Sequence, residues 1–184
     1  MYVDLYSVLT LILFRGGMWR MEIFAKPAVG AIIEKVYDDK KYILIQQRNK
    51  TDEVVEKGMV EIPAGKIRGY ENIFEALRRE IWEETGLRII KIEGEENLTI
   101  SKDSGYKTIS FVPFCSTQNL SGGYSIMLQT FICQAEGELL EETNETINIR
   151  WESIDTIEKM LENNSKQFYP MHINALRKYF LLHK

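Results

Sequence analysis

The segment from residue 65 to residue 87 constrains this chain most, because it places acidic residues on the apolar face of a helix. Asn72 is a good N-cap with Glu75 three residues later, and Gly86 is a natural stop, so the spacing predicts a helix over residues 73–85. At about 100° per residue, several glutamates then share a face with apolar side chains that must pack inward. These glutamates are Glu80, Glu84 and, at the margin, Glu83, and their apolar neighbours are Ile73, Ala76 and Leu77.

Such a face is costly to bury unless a cation compensates its charge. Like charges three and four residues apart repel each other on a helix, and a buried carboxylate needs a partner. Arg79 can reach Glu83 at i+4 and offset one charge. The remaining negative charge, on carboxylates with no Cys or His close by, is typical of a site for Mg²⁺ or Mn²⁺. The alternative interpretation is a solvated acidic face that makes surface ion pairs.

Residues 65–87 resemble the Nudix box, whose pattern is G-x5-E-x7-R-E-U-x-E-E-x-G-U, where U is aliphatic. Every fixed position is filled, by Gly65, Glu71, Arg79, Glu80, Ile81, Glu83, Glu84, Gly86 and Leu87. The resemblance implies an α/β (α+β) Nudix fold, a mixed sheet sandwiched between helices. It also implies hydrolysis of a nucleoside diphosphate linked to another moiety, with Mg²⁺ or Mn²⁺ as cofactor.

The resemblance also implies a role for each matching residue. Glu80 and Glu84 would be the main metal ligands, Glu83 would serve an ion directly or through water, and the carbonyl of Ala64 would be a backbone ligand. The remaining positions would be structural: Arg79 orients the glutamates, Glu71 braces the loop, Gly65 allows a close backbone approach and Gly86 ends the helix.

In this family the general base often lies outside the box, on a loop before a late strand. Residues 136–145 carry five carboxylates and no basic residue, and they end just before a predicted strand. Glu145 is the first choice for the base or an extra metal ligand, and Glu142 the second. The alternative is a solvated acidic loop.

The residues around the box indicate the substrate class. Residues 61–66, EIPAGK, resemble the run found in Nudix enzymes that cleave ADP-ribose and nucleotide sugars. A nucleoside triphosphate pyrophosphatase and a non-catalytic ligand-sensing domain remain alternatives. The candidate phosphate contacts are Arg48, Lys66 and Arg68, and the candidate base-stacking residues are Phe24, Tyr106 and Phe114. Aromatic residues are, however, more often core than contact.

The rest of the chain alternates short strands with a few helices, which is typical of an α+β or α/β fold rather than of repeated βαβ units. A turn is predicted at residues 38–41, and the predicted strands cover residues 27–33, 42–47, 60–62, 89–93, 107–114, 125–135 and 146–151. Two closing helices are predicted over residues 153–163 and 170–182. We therefore expect an N-terminal extension over residues 1–26 and a catalytic domain over residues 27–184.

Composition excludes several classes of protein. The 184 residues carry a net charge of −4, which argues against a nonspecific nucleic-acid binder. Two cysteines are too few for a disulfide scaffold, and with only two histidines besides, a zinc site is improbable. We expect a soluble cytoplasmic enzyme with a small-molecule nucleotide substrate and no nucleic-acid or membrane partner.

Residues 2–14 are strongly apolar but too short to span a bilayer, which needs about 20 residues. One interpretation is a strand that packs on the domain or pairs with a second copy of the chain in a homodimer. The other is that the natural start lies at Met18 or Met21.

Overall fold

The computed structural model describes residues 22–49 and 56–183, which form ten strands and three α-helices. The strands are β1 (Lys26–Tyr37), β2 (Lys40–Arg48), β3 (Val60–Glu61), β4 (Ala64–Lys66), β5 (Arg88–Ile92), β6 (Thr99–Asp103), β7 (Tyr106–Ser110), β8 (Cys115–Gln118), β9 (Ile126–Glu136) and β10 (Thr146–Ser153). The helices are α1 (Ile73–Thr85), α2 (Ile154–Asn163) and α3 (Pro170–Leu182). None of the described helices has the length and apolar character that crossing a membrane requires.

Eight of the described strands form one mixed sheet. Its main path runs β10-β2-β1-β9-β5, with β3 paired to β2, β4 to β1 and β8 to β9. The long central strands β1 and β9 are parallel, whereas the other pairs are antiparallel. Strands β6 and β7 form a separate hairpin.

Helices cover both faces of the sheet. Successive side chains of a strand point to opposite sides, and on β1 both sides carry apolar residues that a helix must cover. Val29, Ala31 and Ile33 of β1 belong to the core cluster that contains α1, whereas Ile32 belongs to the cluster that contains α2 and α3. This sheet between helices confirms the predicted fold class.

The predicted helix over residues 73–85 coincides with α1, and that over residues 170–182 coincides with α3. The predicted turn at residues 38–41 is a tight one, with Asp38 and Asp39 at φ 51° and 57°. The predicted strand at the N-terminus, over residues 2–14, lies outside the described residues, as do Met18 and Met21.

The predicted strand over residues 107–114 is wrong in its extent. Strand β7 ends at Ser110, and a turn at Ser104 and Gly105, with φ 49° and 82°, joins it to β6. The sequence pattern indicates neither β6 nor β8. Strand β8 is formed by its pairing with β9. This contact is long-range, and the four residues of β8 show no local pattern that would predict it.

Candidate active site

Helix α1 carries the acidic side chains, and local interactions define both of its ends. Asn72 Oδ1 accepts a hydrogen bond from the Phe74 N–H at 2.9 Å, which confirms the predicted N-cap. Gly86 has a φ of 78°, and its N–H donates to the Trp82 carbonyl at 3.0 Å. A Cβ at Gly86 would lie 2.8 Å from the carbonyl oxygen of Glu138. A glycine is therefore needed both for the left-handed backbone and for the loop that packs on it.

The carboxylate of Glu80 lies directly against the backbone of Gly65. A Cβ built on Gly65 would be 2.0 Å from Glu80 Cδ and 2.1 Å from its Oε2. Only a residue without a side chain leaves room for the carboxylate at this point of β4.

Glu84 lies one helical turn later and is buried, with 5% of its surface exposed. Its Oε2 accepts hydrogen bonds from the Ala64 N–H at 3.1 Å and from Gln46 Nε2 at 2.8 Å. These donors offset part of the cost of removing a carboxylate from water. The Glu84 carboxylate therefore reaches the backbone of Ala64, and the Glu80 carboxylate reaches that of the next residue, Gly65.

Arg79 ties α1 to the loop that precedes it. Its Nε and Nη2 donate to the two oxygens of Glu71 at 2.7 and 2.9 Å, and its Nη1 donates to Glu80 at 2.6 Å and to Glu83 at 3.1 Å. The contact with Glu83 is the predicted i+4 pair. Nη2 also donates to the carbonyl of Lys66 at 3.1 Å. Hydrogen bonds to Glu71 and Glu80 raise the pKa of Arg79, so its guanidinium stays charged.

Glu71 is the main partner of that guanidinium, and it also accepts a hydrogen bond from the Arg68 N–H at 2.9 Å. The hydrogen bonds from Arg79 contribute most to lowering the pKa of Glu71 from 4.5 to about 2. The ionised carboxylate thus helps to hold the loop on α1.

We expect Glu71→Gln to destabilise the protein in a pH-dependent way. Because the folded pKa of Glu71, about 2, is below its usual 4.5, the stabilisation is present above about pH 4.5 and is lost as the pH falls towards 2. The variant should lose about 1–2 kcal/mol of unfolding free energy at pH 7. Urea unfolding of both proteins between pH 7 and pH 3 measures the difference, and a difference that does not shrink below pH 4.5 would contradict the assignment.

A buried ion pair between β2 and β3 lies behind these carboxylates. Arg48 Nη1 donates to Glu61 Oε2 at 2.7 Å, and Arg48 Nη2 is 3.3 Å from Glu56 Oε2. Gln46 Nε2 lies between the two buried acids, 3.3 Å from Glu61 Oε1 and 2.8 Å from Glu84 Oε2. Arg48, a candidate phosphate contact from sequence, is therefore engaged by carboxylates of its own chain.

A cavity of about 450 Å³ opens beside these groups. Helix α1, β4 and the loop between them supply most of its charged lining, which comprises Lys66, Arg68, Arg79, Glu80 and Glu83. Strands β1 and β9 and the region where α3 begins supply its apolar wall, which comprises Ala28, Ile126, Leu128, Tyr169 and Met171. The cavity thus combines a charged side suited to phosphates with an apolar side suited to a flat ring.

Most of the residues singled out from sequence meet at this cavity. Its lining includes Arg48, Ala64, Gly65, Lys66, Arg68, Arg79, Glu80, Glu83 and Glu145. Glu145 arrives because the loop before β10 is anchored on both sides: Thr146 Oγ1 donates to the carbonyl of Glu84 at 3.3 Å, and the Asn49 N–H donates to the carbonyl of Glu145 at 2.7 Å.

Five candidate metal, base or substrate residues from sequence do not line the cavity: Glu84, Glu142, Phe24, Tyr106 and Phe114. Glu84 is buried directly behind Ala64, from whose N–H it accepts a hydrogen bond, and Ala64 itself lines the cavity. Glu142 is exposed on the acidic loop. Phe114 packs edge-on against Tyr179, with ring centroids 6.4 Å apart, beside the core cluster of α2 and α3. Its assignment as a substrate contact is therefore corrected to a packing role, because β8 and α3 hold it away from the cavity.

Three residues of the cavity lining that carry rings, Tyr124, Tyr169 and His172, were not indicated by the sequence as substrate contacts. Tyr124 lies before β9, with the ammonium groups of Lys26 and Lys66 at 5.9 and 5.8 Å from its ring centroid. Tyr169 and His172 come from the region where α3 begins, with ring centroids 5.3 Å apart. Tyr169 and His172 lie far from the box in sequence, and no local pattern marks them. The Tyr169 N–H donates to the Val60 carbonyl and the Ile62 N–H donates to His172 Nδ1, and these contacts bring the start of α3 beside β3.

The acidic side chains offer oxygen donors of the kind that Mg²⁺ and Mn²⁺ prefer. Within residues 22–49 and 56–183, no group of three or more His, Cys, Asp or Glu side chains is gathered closely enough to hold an ion. The hydrogen bonds explain this, because Arg79 holds Glu80 and Glu83 while Glu84 accepts from Ala64 and Gln46. Glu80 and Glu84 nevertheless reach neighbouring backbone atoms, so the donor set fits a divalent cation that would compete with Arg79 for these oxygens.

A family model described as NUDIX domain matches residues 26–172 of the chain. The match contains α1, the loop before it and all the cavity-lining residues named above. No curated protein matches the chain.

Several solved structures are similar to this chain. The NUDIX domain of Shewanella oneidensis NrtR complexed with ADP ribose is 12% identical with a TM-score of 0.62, over 89% of this chain and 91% of that one. The solution structure of the E. coli ORF135 protein is 23% identical with a TM-score of 0.58, over 88% and 92%. The MutT protein from Methanosarcina mazei Go1 is 17% identical with a TM-score of 0.55, over 90% and 99%. At these identities the likeness concerns the fold.

Proposed function

This chain belongs to the Nudix family of pyrophosphohydrolases, and we propose that it hydrolyses, with Mg²⁺ or Mn²⁺, the pyrophosphate bond of a nucleoside diphosphate linked to another moiety. The proposed substrates are ADP-ribose and nucleotide sugars. The observation that carries the proposal is the convergence of the Glu80 and Glu84 carboxylates on the backbone of Ala64 and Gly65, at the charged side of a cavity.

Four groups would hold the metal: the carboxylates of Glu80, Glu83 and Glu84, and the carbonyl of Ala64. A divalent ion at this place supplies charge neutralisation of the diphosphate and lowers the pKa of a bound water. Lys66 and Arg68 lie on the same side of the cavity and would bind the phosphate oxygens.

Glu145 is the proposed general base. It would accept a proton from the attacking water as the water oxygen bonds to one phosphorus and the bridging P–O bond breaks, so that two phosphomonoesters form. Its place in the cavity lining supports Glu145 over Glu142. Arg79 would act as a positioning residue, since it holds the carboxylates of Glu71, Glu80 and Glu83.

The similarity of the fold to the NrtR domain complexed with ADP ribose supports a ligand of this class. The cavity volume of about 450 Å³ is within the range of small-molecule sites, roughly 300–1,000 Å³.

A hydrolysis screen tests the proposal. We expect turnover of ADP-ribose or a nucleotide sugar with Mg²⁺ or Mn²⁺, giving a nucleoside monophosphate and a phosphorylated second moiety, and no turnover with EDTA. Release of pyrophosphate from nucleoside triphosphates, with no cleavage of the diphosphates, would favour a triphosphate pyrophosphatase instead. Binding without turnover of either class would favour a ligand-sensing domain.

The extension over residues 1–26, the homodimer and the cytoplasmic location stay predictions. The extension lies largely outside the described residues, and the strand proposed to pair between two copies lies wholly outside them.

A further inference from the structure

His172 is a buried polar side chain in the wall of the substrate cavity. It lies in the first turn of α3, has 1% of its surface exposed and contributes to the cavity lining. Its Nδ1 accepts a hydrogen bond from the N–H of Ile62 at 3.1 Å. The hydrogen bonds among the described residues leave its other ring nitrogen, Nε2, without a partner.

The bond from Ile62 determines the tautomer of this imidazole. A nitrogen that accepts from a backbone N–H carries no proton, so the proton of the neutral ring is on Nε2. Complete burial, with a smaller effect of the nearby Arg48 guanidinium, lowers the pKa of His172 to about 3. At neutral pH the ring is therefore uncharged, and Nε2 is a donor that cannot accept.

The surroundings of His172 favour a flat heterocycle over a sugar. Tyr169, with Arg48 4.2 Å from its ring centroid, packs with Met171, Leu128 and Ala28 in one apolar cluster of the cavity wall. Sugar hydroxyls against such a wall would lose water without gaining partners, whereas an aromatic base would bury apolar area. The phosphates would remain on the charged side, next to α1.

We propose that His172 is a specificity residue, which donates from Nε2 to a carbonyl oxygen of the substrate's nucleobase. The inference rests on the proposed function and deepens it. Bases with a carbonyl group at the contacted position, such as hypoxanthine and uracil, satisfy the donor. Adenine and cytosine present an amino group there, so two donors would face each other in a buried site.

Two substrate pairs test the proposal, in each of which an amino group is exchanged for a carbonyl oxygen and the adjacent ring nitrogen gains a proton. ADP-ribose is compared with its hypoxanthine counterpart, and CDP-glucose with UDP-glucose, by kcat/KM and by equilibrium binding. We expect the carbonyl member of at least one pair to be preferred by about tenfold, the value of one hydrogen bond of about 1.4 kcal/mol. Equal values within both pairs would overturn the proposal.

Two variants test the roles of Nδ1 and Nε2 of His172 separately. In His172→Asn the side-chain oxygen can still accept from the Ile62 N–H, but no donor reaches the place of Nε2, so the preference should fall to about twofold or less. In His172→Gln the longer amide can donate near that place, so the preference should be largely retained even if thermal stability falls. Retention of the full preference in His172→Asn would overturn the proposal.

The two readouts distinguish this inference from the proposed function. If no substrate is hydrolysed but binding still prefers the carbonyl member and loses that preference in His172→Asn, the proposed function fails and the inference stands. If the substrates are hydrolysed without preference, the inference fails and the proposed function stands.

Discussion

Glu84→Gln is expected to lower kcat/KM by about 10²–10³-fold, or about 2.7–4 kcal/mol of transition-state stabilisation. The substitution keeps the shape of the side chain and removes its negative charge. The amide oxygen can still accept from the Ala64 N–H and from Gln46, which are the donors that hold the carboxylate in place at 3.1 and 2.8 Å. The fold should therefore persist while affinity for the divalent cation falls.

Steady-state kinetics over a range of Mg²⁺ concentrations, with circular dichroism as a check on folding, measure this effect. The matched control is Glu75→Gln, on the same helix but at an exposed position. Its activity should stay within about twofold of the parent's, since substitutions at the surface usually have small effects. Turnover by Glu84→Gln within tenfold of the parent's would show that the catalytic assignment is wrong.

Gly65→Ala should lower kcat/KM by about 10²-fold, because displacement of a catalytic group by about 1 Å has effects of that size. The new methyl group would lie 2.0 Å from Glu80 Cδ, so the carboxylate must leave its place. Since the group that must move is the end of a flexible side chain, we expect the melting temperature to change by only a few degrees. The variant thus tests whether the position of the Glu80 carboxylate matters, since the side chain itself is still present.

Gly69→Ala is the matched control for this substitution. It lies in the loop that follows β4, four residues after Gly65, and a Cβ there meets nothing within 4 Å. Its kcat/KM should stay within about twofold of the parent's. Equal activity of Gly65→Ala and Gly69→Ala would contradict the proposed contact between Gly65 and Glu80.

The helix at the centre of the site was predictable because its signals are local. Asn72 and Gly86 define its ends, and the 3.6-residue period places Glu80 and Glu84 on the inward face, so α1 has the predicted bounds. The i+4 pair of Arg79 and Glu83 follows from the same geometry. These inferences need no knowledge of the rest of the chain.

Contacts made through the sheet were not predictable in the same way. Phe114 was a candidate base-stacking residue from sequence, yet it lies just before β8 and packs against Tyr179 of α3. Glu142 and Glu145 lie three residues apart on one acidic loop, and only the anchoring at Thr146 and Asn49 places Glu145 at the cavity.

The sequence by itself determined the family, the course of α1 and the acidic groups that α1 presents, since these depend on residue types at fixed local spacing. The tertiary structure alone decided what faces those groups. The parallel pairing of β1 with β9 and the docking of α3 on the sheet place Tyr169 and His172 beside the cavity. Burial and the N–H of Ile62 then make His172 a neutral donor, a property of its surroundings that no residue carries in its own side chain.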